Sequence, residues 1–363
     1  MFGLAKNPTP GLVLLLSIPA FLILSYFSLA RSTGAPERIT RPEPELNADL
    51  DHDGLRDGAL QAIAEATLAG REGAIVVLDP QTGRLRAVVN SELAFQSAFP
   101  PGSTIKTFTA LAALRAGVIT EDTRLRCRGK YKRNDVIDAC VHPPKLPPFN
   151  PAEAVAYSCN YFFATIGERL DGESFAQLLG EFGFGQPTGI ESQTESAGVL
   201  ARGQWQPQSP LGEGPFLQVT PVQLAIAYAA LFNGGALLQP NYDGIRKASA
   251  QLRIDDKERS MLLEGMRGSV SFGTAEKADL DSLPVYIIGK TGTSTQLGGF
   301  RTQGWFVGLA FNPDTPPEPA NAQLLIVIYL KNAHGSDAAK IAQKVWKRVP
   351  DHSYSVKATK AQF

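Results

Sequence analysis

The chain has 363 residues, enough for one large domain or two of average size. Hydrophobic residues make up 44% and charged residues 19%, a composition that excludes an intrinsically disordered protein. Lysine plus arginine number 35, as do aspartate plus glutamate, and this zero net charge argues against a nucleic-acid-binding protein. Four histidines and three cysteines are little material for a metal site, so we predict no metal and no other cofactor.

The amino-terminal segment has the composition of a membrane-spanning helix. Residues 7–30 contain no charge, and about 20 apolar residues suffice for one crossing. The alternative is a secretory signal peptide, because residues 28–30 offer small side chains for cleavage. We predict that residues 1–30 are an uncleaved anchor in the cytoplasmic membrane, with the rest of the chain on the periplasmic side. Residues 31–57, which contain several prolines, then form a linker.

The pattern of residues 58–350 predicts one mixed α/β domain, which is followed by a tail at residues 351–363. Helical patterns lie at residues 58–69, 103–116, 151–170, 174–182, 221–233, 256–268 and 338–348. Strand patterns lie at residues 74–78, 85–89, 285–288, 305–311 and 324–330. Two strands, a long helical middle, three strands and a final helix predict a single antiparallel sheet flanked by helices.

The helical pattern at residues 103–116 begins with Ser103 and Lys106, which are three residues apart. Residues three apart share one helix face, so the Lys106 amine can reach the Ser103 hydroxyl. The positive end of the helix dipole also favours an alkoxide at Ser103. Such a pair arises by chance about once in a chain of this composition, so the pair taken alone favours a helix cap with an exposed lysine.

Two further motifs follow. Ser158-Cys-Asn160 places a hydroxyl and an amide two residues apart beside an apolar helix, or forms a polar turn between two helices. Lys290-Thr-Gly-Thr293 comes directly after a predicted strand, where Gly292 lets a ligand approach the backbone closely. The second of these motifs is the more specific, because Lys-Thr-Gly is expected only about 0.08 times in a random chain of this composition. The alternative is a plain strand-end turn.

In this order, the three motifs resemble those of penicillin-binding transpeptidases and serine β-lactamases. Further segments resemble the core of class B transpeptidase domains, and the resemblance covers residues 58–350. They are Gly212–Gly214, Gln218–Leu224, Asn233–Gly235, Gly273–Ala275 and Gly304–Gly308. The resemblance implies an α/β domain around a five-stranded sheet.

The resemblance also implies a mechanism. Ser103 would attack a D-Ala-D-Ala-terminated stem peptide of peptidoglycan, and β-lactams would acylate it as covalent inhibitors. Lys106 would be the general base, its pKa lowered by burial and by the nearby Lys290. Ser158 would relay the proton to the leaving amine, and Asn160 would orient the acyl donor.

The third motif would bind the substrate in the same scheme. Lys290 and Thr293 would hold the terminal carboxylate of the peptide, with Thr291 and Gly292 beside it. The backbone N–H groups of Ser103 and Thr293 would form the oxyanion hole.

Several relatives of the same fold remain alternatives. A D,D-carboxypeptidase differs only in using water as acceptor, and a β-lactamase needs an added base, for which Glu191 and Glu195 are the nearest candidates. A β-lactam sensor needs a further signalling domain. We expect neither a glycosyltransferase domain nor the large non-catalytic domain usual in class B enzymes, and the sequence indicates no protein partner.

The cysteines fit an oxidising compartment. We predict a disulfide between Cys127 and Cys140, which bracket a charged loop. Cys159 is then a small buried hydrophobe, and no ligand set is expected around His142.

Overall fold

The computed structural model describes residues 57–133, 136–190, 193–203, 206–295 and 302–349. The predicted anchor, the tail at residues 351–363 and all of the linker except Asp57 lie outside these ranges. Within them, no helix combines the length and the apolar character that a membrane crossing requires.

An antiparallel five-stranded sheet forms the centre of the fold, as predicted. In chain order the strands are β1 (Gly73–Leu78), β2 (Leu85–Val89), β3 (Lys130–Arg133), β4 (Val136–Ala139), β5 (Val199–Leu200), β6 (Leu217–Gln218), β7 (Ala236–Leu238), β8 (Ala248–Gln251), β9 (Tyr286–Thr295), β10 (Thr302–Phe311) and β11 (Ala322–Lys331). The central sheet has the order β2-β1-β11-β10-β9, and the other strands pair two by two as β3-β4, β5-β6 and β7-β8.

Helices cover both faces of this sheet. They are α1 (Gly58–Leu68), α2 (Lys106–Arg115), α3 (Pro151–Ala156), α4 (Asn160–Gly167), α5 (Gly172–Glu181), α6 (Pro221–Phe232), α7 (Asp256–Ser271) and α8 (Gly335–Trp346). Several begin at a capping box, as at Asn150 with Glu153 and at Thr220 with Gln223. Every residue of α6 is buried, which is typical of a helix enclosed on all sides.

Successive side chains of each strand point to opposite faces of the central sheet, so each strand contributes to two cores. In β1, Val76 belongs to the larger core beneath the central helices, whereas Ile75 and Val77 belong to the smaller core beneath α1 and α8. Strands buried on both faces read as continuous apolar runs, and β1 and β11 do so. Core packing therefore fixes the sheet from both sides.

Three features differ from the sequence-based prediction. The single helix expected at residues 151–170 is interrupted between α3 and α4, where Ser158 has a positive φ of 51°. The strand expected to stop at Ile288 continues to Thr295, because β9 pairs with β10 along its whole length. The hairpins β3-β4 and β7-β8 were not predicted, since all four strands are short and β3 and β8 are largely exposed.

Candidate active site

The segment before Ser103 is tied to the sheet. The carbonyl of Pro100 accepts hydrogen bonds from the Ser294 hydroxyl at 2.8 Å and from the Trp305 indole at 3.0 Å. The Gly102 N–H donates to the Gly212 carbonyl at 2.9 Å. Ser103 follows in a short 3-10 turn over Gly102–Ile105, which leads directly into α2. The nucleophile predicted from sequence therefore lies on a backbone that neighbouring strands hold in place.

A buried tyrosine fixes the start of α2 from the other side. The Tyr228 hydroxyl donates to the Thr104 carbonyl at 2.6 Å and lies 2.8 Å from the Thr107 hydroxyl. Tyr228 belongs to the fully buried helix α6. Nothing in the spacing of the sequence motifs indicates this contact, because the partners are more than 100 residues apart.

Lys106 is completely buried and joins the first motif to the second. Its Nζ donates to the Ser158 carbonyl at 2.9 Å, lies 3.3 Å from the Ser158 hydroxyl and donates to the Asn160 side-chain oxygen. Burial lowers the pKa of Lys106 to about 8, because a charged amine loses its hydration in the interior. A base with this pKa is neutral in an appreciable fraction of molecules near neutral pH.

The second motif is a turn, and its amide also contacts the hairpin. Asn160 begins α4, and its Nδ2 donates to the Ala139 carbonyl on β4 at 2.8 Å. The left-handed φ of Ser158 directs both its carbonyl and its hydroxyl toward Lys106. The structure thus brings together Lys106, Ser158 and Asn160, as the motifs predict.

Lys290 is buried on β9 and coupled electrostatically to Lys106. Its Nζ donates to the Thr291 carbonyl at 3.0 Å. The pKa of Lys290 lies well below the usual value, first because of burial and then because of repulsion from Lys106. For Lys106 itself, burial causes the lowered pKa, so the expected contribution of Lys290 there is not observed.

Gly292 and Gly102 let β9 lie directly against the nucleophile segment. A β-carbon at Gly102, whose φ is +53°, would lie 2.6 Å from the Thr293 carbonyl. A β-carbon at Gly292 would lie 2.7 Å from the Pro101 carbonyl. The backbone N–H groups of Ser103 and Thr293 consequently belong to two segments in contact, as an oxyanion hole requires.

The threonine hydroxyls of the third motif face other partners. The Thr293 hydroxyl accepts a hydrogen bond from the Gly335 N–H at the start of α8, at 3.0 Å, which leaves its own hydrogen available to a ligand. The Thr291 hydroxyl donates to the Thr274 hydroxyl at 2.6 Å. The predicted substrate-binding role is therefore compatible with Thr293 and more indirect for Thr291.

Two carboxyl groups near the lysines were missed in the sequence. Glu213 accepts a hydrogen bond from the Thr295 N–H at 3.2 Å, and burial raises its pKa to about 7. Burial also raises the pKa of Asp138 on β4. Both carboxylates act to raise the pKa of Lys106. The indirect signal for Glu213 in the sequence is that Gly212–Gly214 resembles a segment of the class B transpeptidase core.

Next to the second motif, three cysteines and a histidine come together. The ligand atoms of Cys127, Cys140, His142 and Cys159 all lie within 4.8 Å of one another. The structure thus places His142 beside three cysteine sulfurs, a proximity that the sequence analysis did not anticipate. The cysteines are free thiols, with the Cys127 and Cys140 sulfurs 3.5 Å apart, and the Cys127–Cys140 disulfide stays a prediction. Thiolate and imidazole are the ligands that zinc prefers.

Comparison with known proteins identifies the family. Residues 73–351 match the family described as "Penicillin binding protein transpeptidase domain". The chain belongs to this family. The peptidoglycan D,D-transpeptidase MrdA of Acinetobacter baumannii is 27% identical over 361 residues, which cover 80% of this chain and 52% of that protein. The stage V sporulation protein D of Bacillus subtilis is 28% identical, over 69% of this chain and 41% of that protein.

The three-dimensional comparison agrees. The crystal structure of Pseudomonas aeruginosa PBP2 in complex with WCK 5153 matches this transpeptidase-family domain with a TM-score of 0.70 and 26% identity. The match covers 84% of this chain and 79% of that one. Overall, the chain spans about half the length of the curated relatives it matches.

Proposed function

We propose that this protein is a peptidoglycan D,D-transpeptidase that cross-links stem peptides through an acyl-enzyme on Ser103. The observation that carries the proposal is the Lys106 amine, fully buried one helical turn after Ser103 and held by Ser158 and Asn160. A lysine with a lowered pKa beside a serine is suited to activate that serine as a nucleophile. The domain family and the named transpeptidase relatives support the same activity.

The first half-reaction forms the acyl-enzyme. Neutral Lys106 takes the proton of the Ser103 hydroxyl as its oxygen attacks the carbonyl carbon of the penultimate D-alanine. The N–H groups of Ser103 and Thr293 stabilise the oxyanion. As the peptide bond breaks, the leaving amine takes a proton through the Ser158 hydroxyl, which lies 3.3 Å from the Lys106 Nζ. D-Alanine leaves with its carboxylate bound by Lys290 and Thr293.

The second half-reaction transfers the acyl group. The amine of a second stem peptide attacks the ester of the acyl-enzyme and gives up a proton to Lys106. The new amide is the cross-link, and the Ser103 hydroxyl is regenerated. Asn160 orients the acyl chain in both steps, because its side-chain oxygen and nitrogen are fixed by Lys106 and by the Ala139 carbonyl.

The environment of Glu195 argues against rapid hydrolysis of the acyl-enzyme. Its carboxylate accepts hydrogen bonds from the N–H groups of Thr188, Gly189 and Ile190 and from the Thr188 hydroxyl, at 2.5 to 2.9 Å. A carboxylate bound in this way holds its loop and is poorly placed to activate water. A β-lactam adduct on Ser103 should therefore persist.

We also propose that residues 1–30 anchor the protein in the cytoplasmic membrane, with the catalytic domain in the periplasm. The uncharged residues 7–30 support this placement. Fractionation of cells and protease digestion of spheroplasts test it. A full-length chain in the membrane fraction, degraded from outside, is expected; a soluble chain with its amino terminus cleaved near residue 30 would contradict the anchor.

Covalent labelling with a fluorescent penicillin tests the activity. We expect the full chain to be labelled for many minutes, whereas Ser103→Ala stays folded and unlabelled. Ser91→Ala is the matched control, because Ser91 is exposed and makes no capping hydrogen bond. Loss of the label within seconds, with turnover of excess penicillin, would instead indicate a β-lactamase.

The acceptor is tested separately with a D-Ala-D-Ala-terminated stem peptide and an amine acceptor peptide. A transpeptidase produces the cross-linked product, whereas a carboxypeptidase releases D-alanine with only the hydrolysed peptide. Mass spectrometry of the products distinguishes the two.

A further inference from the structure

Two carboxylates flank the cleft that lies between β9 and the Ser158–Asn160 turn. Glu213 belongs to the β9 side, because its Oε2 accepts a hydrogen bond from the Thr295 N–H at 3.2 Å. Asp138 belongs to the opposite side, since it lies on β4, where the next carbonyl along the strand accepts a hydrogen bond from the Asn160 amide. The charge of Asp138 raises the pKa of Glu213, so the two carboxylates are close enough to interact.

The position of Glu213 along β9 indicates which part of a substrate it faces. Under the proposed function, the terminal carboxylate of the donor peptide is bound at Lys290 and its reacting carbonyl at the Thr293 N–H. The N–H groups of Thr293 and Thr295 point to the same edge of β9, because strand residues two apart share an orientation. Since β9 is an edge strand of the central sheet, this edge faces the cleft and not another strand.

The donor peptide therefore continues from Thr293 toward Thr295 and Glu213. Two residues of a strand span about 7 Å, which is also the length of two residues of an extended peptide. The residue that precedes the two D-alanines consequently lies beside the Glu213 carboxylate. In a stem peptide this residue is a diamino acid, and its side-chain amine is the nucleophile when the peptide serves as acceptor.

A transpeptidase joins two stem peptides of the same kind, so the donor also carries an amine, which does not react in that step. The acceptor amine enters elsewhere, because its nitrogen takes the place of the leaving D-alanine nitrogen on the side of Lys290. The two amines thus lie on opposite sides of Ser103, and the donor's own amine is the one that reaches Glu213. At neutral pH this amine is an ammonium, since the pKa of an aliphatic amine is about 10.4.

The two carboxylates can accept such a cation. Asp138 Oδ2 is buried and has no hydrogen-bond partner among the described residues. The charge of Lys106 acts on both carboxylates, but Lys106 must be neutral to serve as the general base. An ammonium of the substrate would then satisfy the Oδ2 atom and compensate the charge of both carboxylates.

We propose that Glu213 and Asp138 bind the side-chain ammonium of the donor stem peptide and thereby select donors in which this amine is free. The inference rests on the proposed function, and it specifies the donor as a peptide with a cationic side chain before its two D-alanines. An ammonium has no lone pair, so a donor amine held in this form does not compete with the acceptor for the acyl group.

The first test compares two donor peptides that differ in one group. One is a D-Ala-D-Ala-terminated stem peptide with a free side-chain amine, and the other is the same peptide with this amine acetylated. For each donor, kcat/KM is measured from the release of D-alanine by the full chain. We expect the wild type to prefer the free amine about tenfold, because a partly buried ion pair is screened less than a surface one. Equal values for the two donors would overturn the proposal, whether or not any variant folds.

The second test repeats this comparison in variants that fold by circular dichroism. Glu213→Gln and Asp138→Asn should each reduce the preference to about threefold or less, because one of two carboxylates remains. The ratio of the two donors cancels any change in the pKa of Lys106, since both donors use the same base. Glu121→Gln and Asp122→Asn are the matched controls, at exposed positions, and should keep the wild-type preference. A preference that both cleft variants retain in full would overturn the proposal.

Binding measurements separate a failure of this inference from a failure of the proposed function. Ser103→Ala lacks the nucleophile, so calorimetry gives the Kd of each donor without turnover. We expect the acetylated donor to bind about tenfold more weakly, and equal Kd values would contradict the inference. If the wild type releases no D-alanine from either donor, the proposed function fails, whereas the two Kd values still decide whether the carboxylates bind the amine.

Discussion

The two walls of the active-site cleft are built in different ways. The nucleophile wall consists of residues 102–106 and β9, which pack backbone to backbone through Gly102 and Gly292 and continue into the central sheet. The opposite wall consists of β3-β4 and the Ser158–Asn160 turn, held by side-chain contacts of Asn160 and by the hydrogen bond from the Tyr161 N–H to the Cys140 sulfur.

The site therefore combines a rigid nucleophile wall with an opposite wall whose position can change. The nucleophile wall is fixed by the burial of β9 and β10 within the central sheet. The opposite wall depends on a few polar contacts between short elements, so its position can respond to its surroundings. The proposed nucleophile and oxyanion hole lie on the first wall, and the groups proposed to orient the acyl donor lie on the second.

The largest effect is expected where the walls meet, at Lys106. Lys106→Met removes the general base and should lower the rate of penicillin acylation about 10²- to 10⁴-fold. The rate is measured by labelling with fluorescent penicillin, and folding by circular dichroism. Lys132→Met is the control, because Lys132 is exposed on β3. A labelling rate close to that of the wild type would remove Lys106 from the mechanism.

A substitution at Gly102 tests the close packing of the nucleophile wall. Gly102→Ala introduces a β-carbon 2.6 Å from the Thr293 carbonyl, at a positive φ. We expect the free energy of unfolding to fall by at least about 2 kcal/mol and acylation to fall with it. Gly117→Ala is the matched control, since Gly117 has φ +65° and open space around it.

The control separates the effect of close contact with β9 from the effect of a side chain at positive φ. Gly117→Ala should cost only the backbone term of about 1 kcal/mol and leave acylation unchanged. Urea unfolding measures both variants. Equal losses of stability in the two would mean that contact with β9 contributes nothing.

The pH dependence of the acylation rate tests whether the carboxylates near both walls raise the pKa of Lys106. Because the pKa of Lys106 is about 8, its amine is protonated at lower pH, and the acylation rate should rise with pH and level off above about 8. The Glu213 carboxylate raises the pKa of Lys106, so Glu213→Gln should move this rise to lower pH. Glu121→Gln, at an exposed position, should leave it unchanged. A shift to higher pH in Glu213→Gln contradicts the electrostatic argument.

The smallest effect is expected at Glu195, which lies on neither wall. Glu195→Gln weakens four hydrogen bonds to residues 188–190 and should lower stability by about 1 kcal/mol. The lifetime of the penicilloyl-enzyme should not change. The lifetime is followed by loss of label over time, and a clearly longer one would identify Glu195 as the deacylating base.

The nucleophile wall could be predicted from the sequence, and the opposite wall only in part. Apolar runs placed β1 to within one residue, and β10 and β11 to within three residues at each end, because burial on both faces leaves a continuous signal. Ser103, Lys106 and Lys290 were singled out from motifs on the 3-10 turn, on α2 and on β9. Local sequence patterns were sufficient to single out these three residues, because each motif lies within one turn, helix or strand.

The opposite wall depends on contacts that local patterns do not encode. The helix expected through residue 158 is broken by a positive φ that serine rarely adopts, and the β3-β4 hairpin has no apolar alternation. His142 comes beside Cys159 only through the folded path of the chain. Glu213 likewise reaches the lysines through its loop, so its spacing in the sequence carried no signal.

The conformation of Ser158 has a consequence for evolution. A residue with a β-carbon in the left-handed region costs about 1–2 kcal/mol, and glycine would avoid that cost. Selection for heat resistance alone would therefore favour Ser158→Gly, although this change discards the hydroxyl beside Lys106. Keeping serine at this position retains the hydroxyl beside Lys106 and lowers the stability of the domain, so thermal adaptation must draw on other positions.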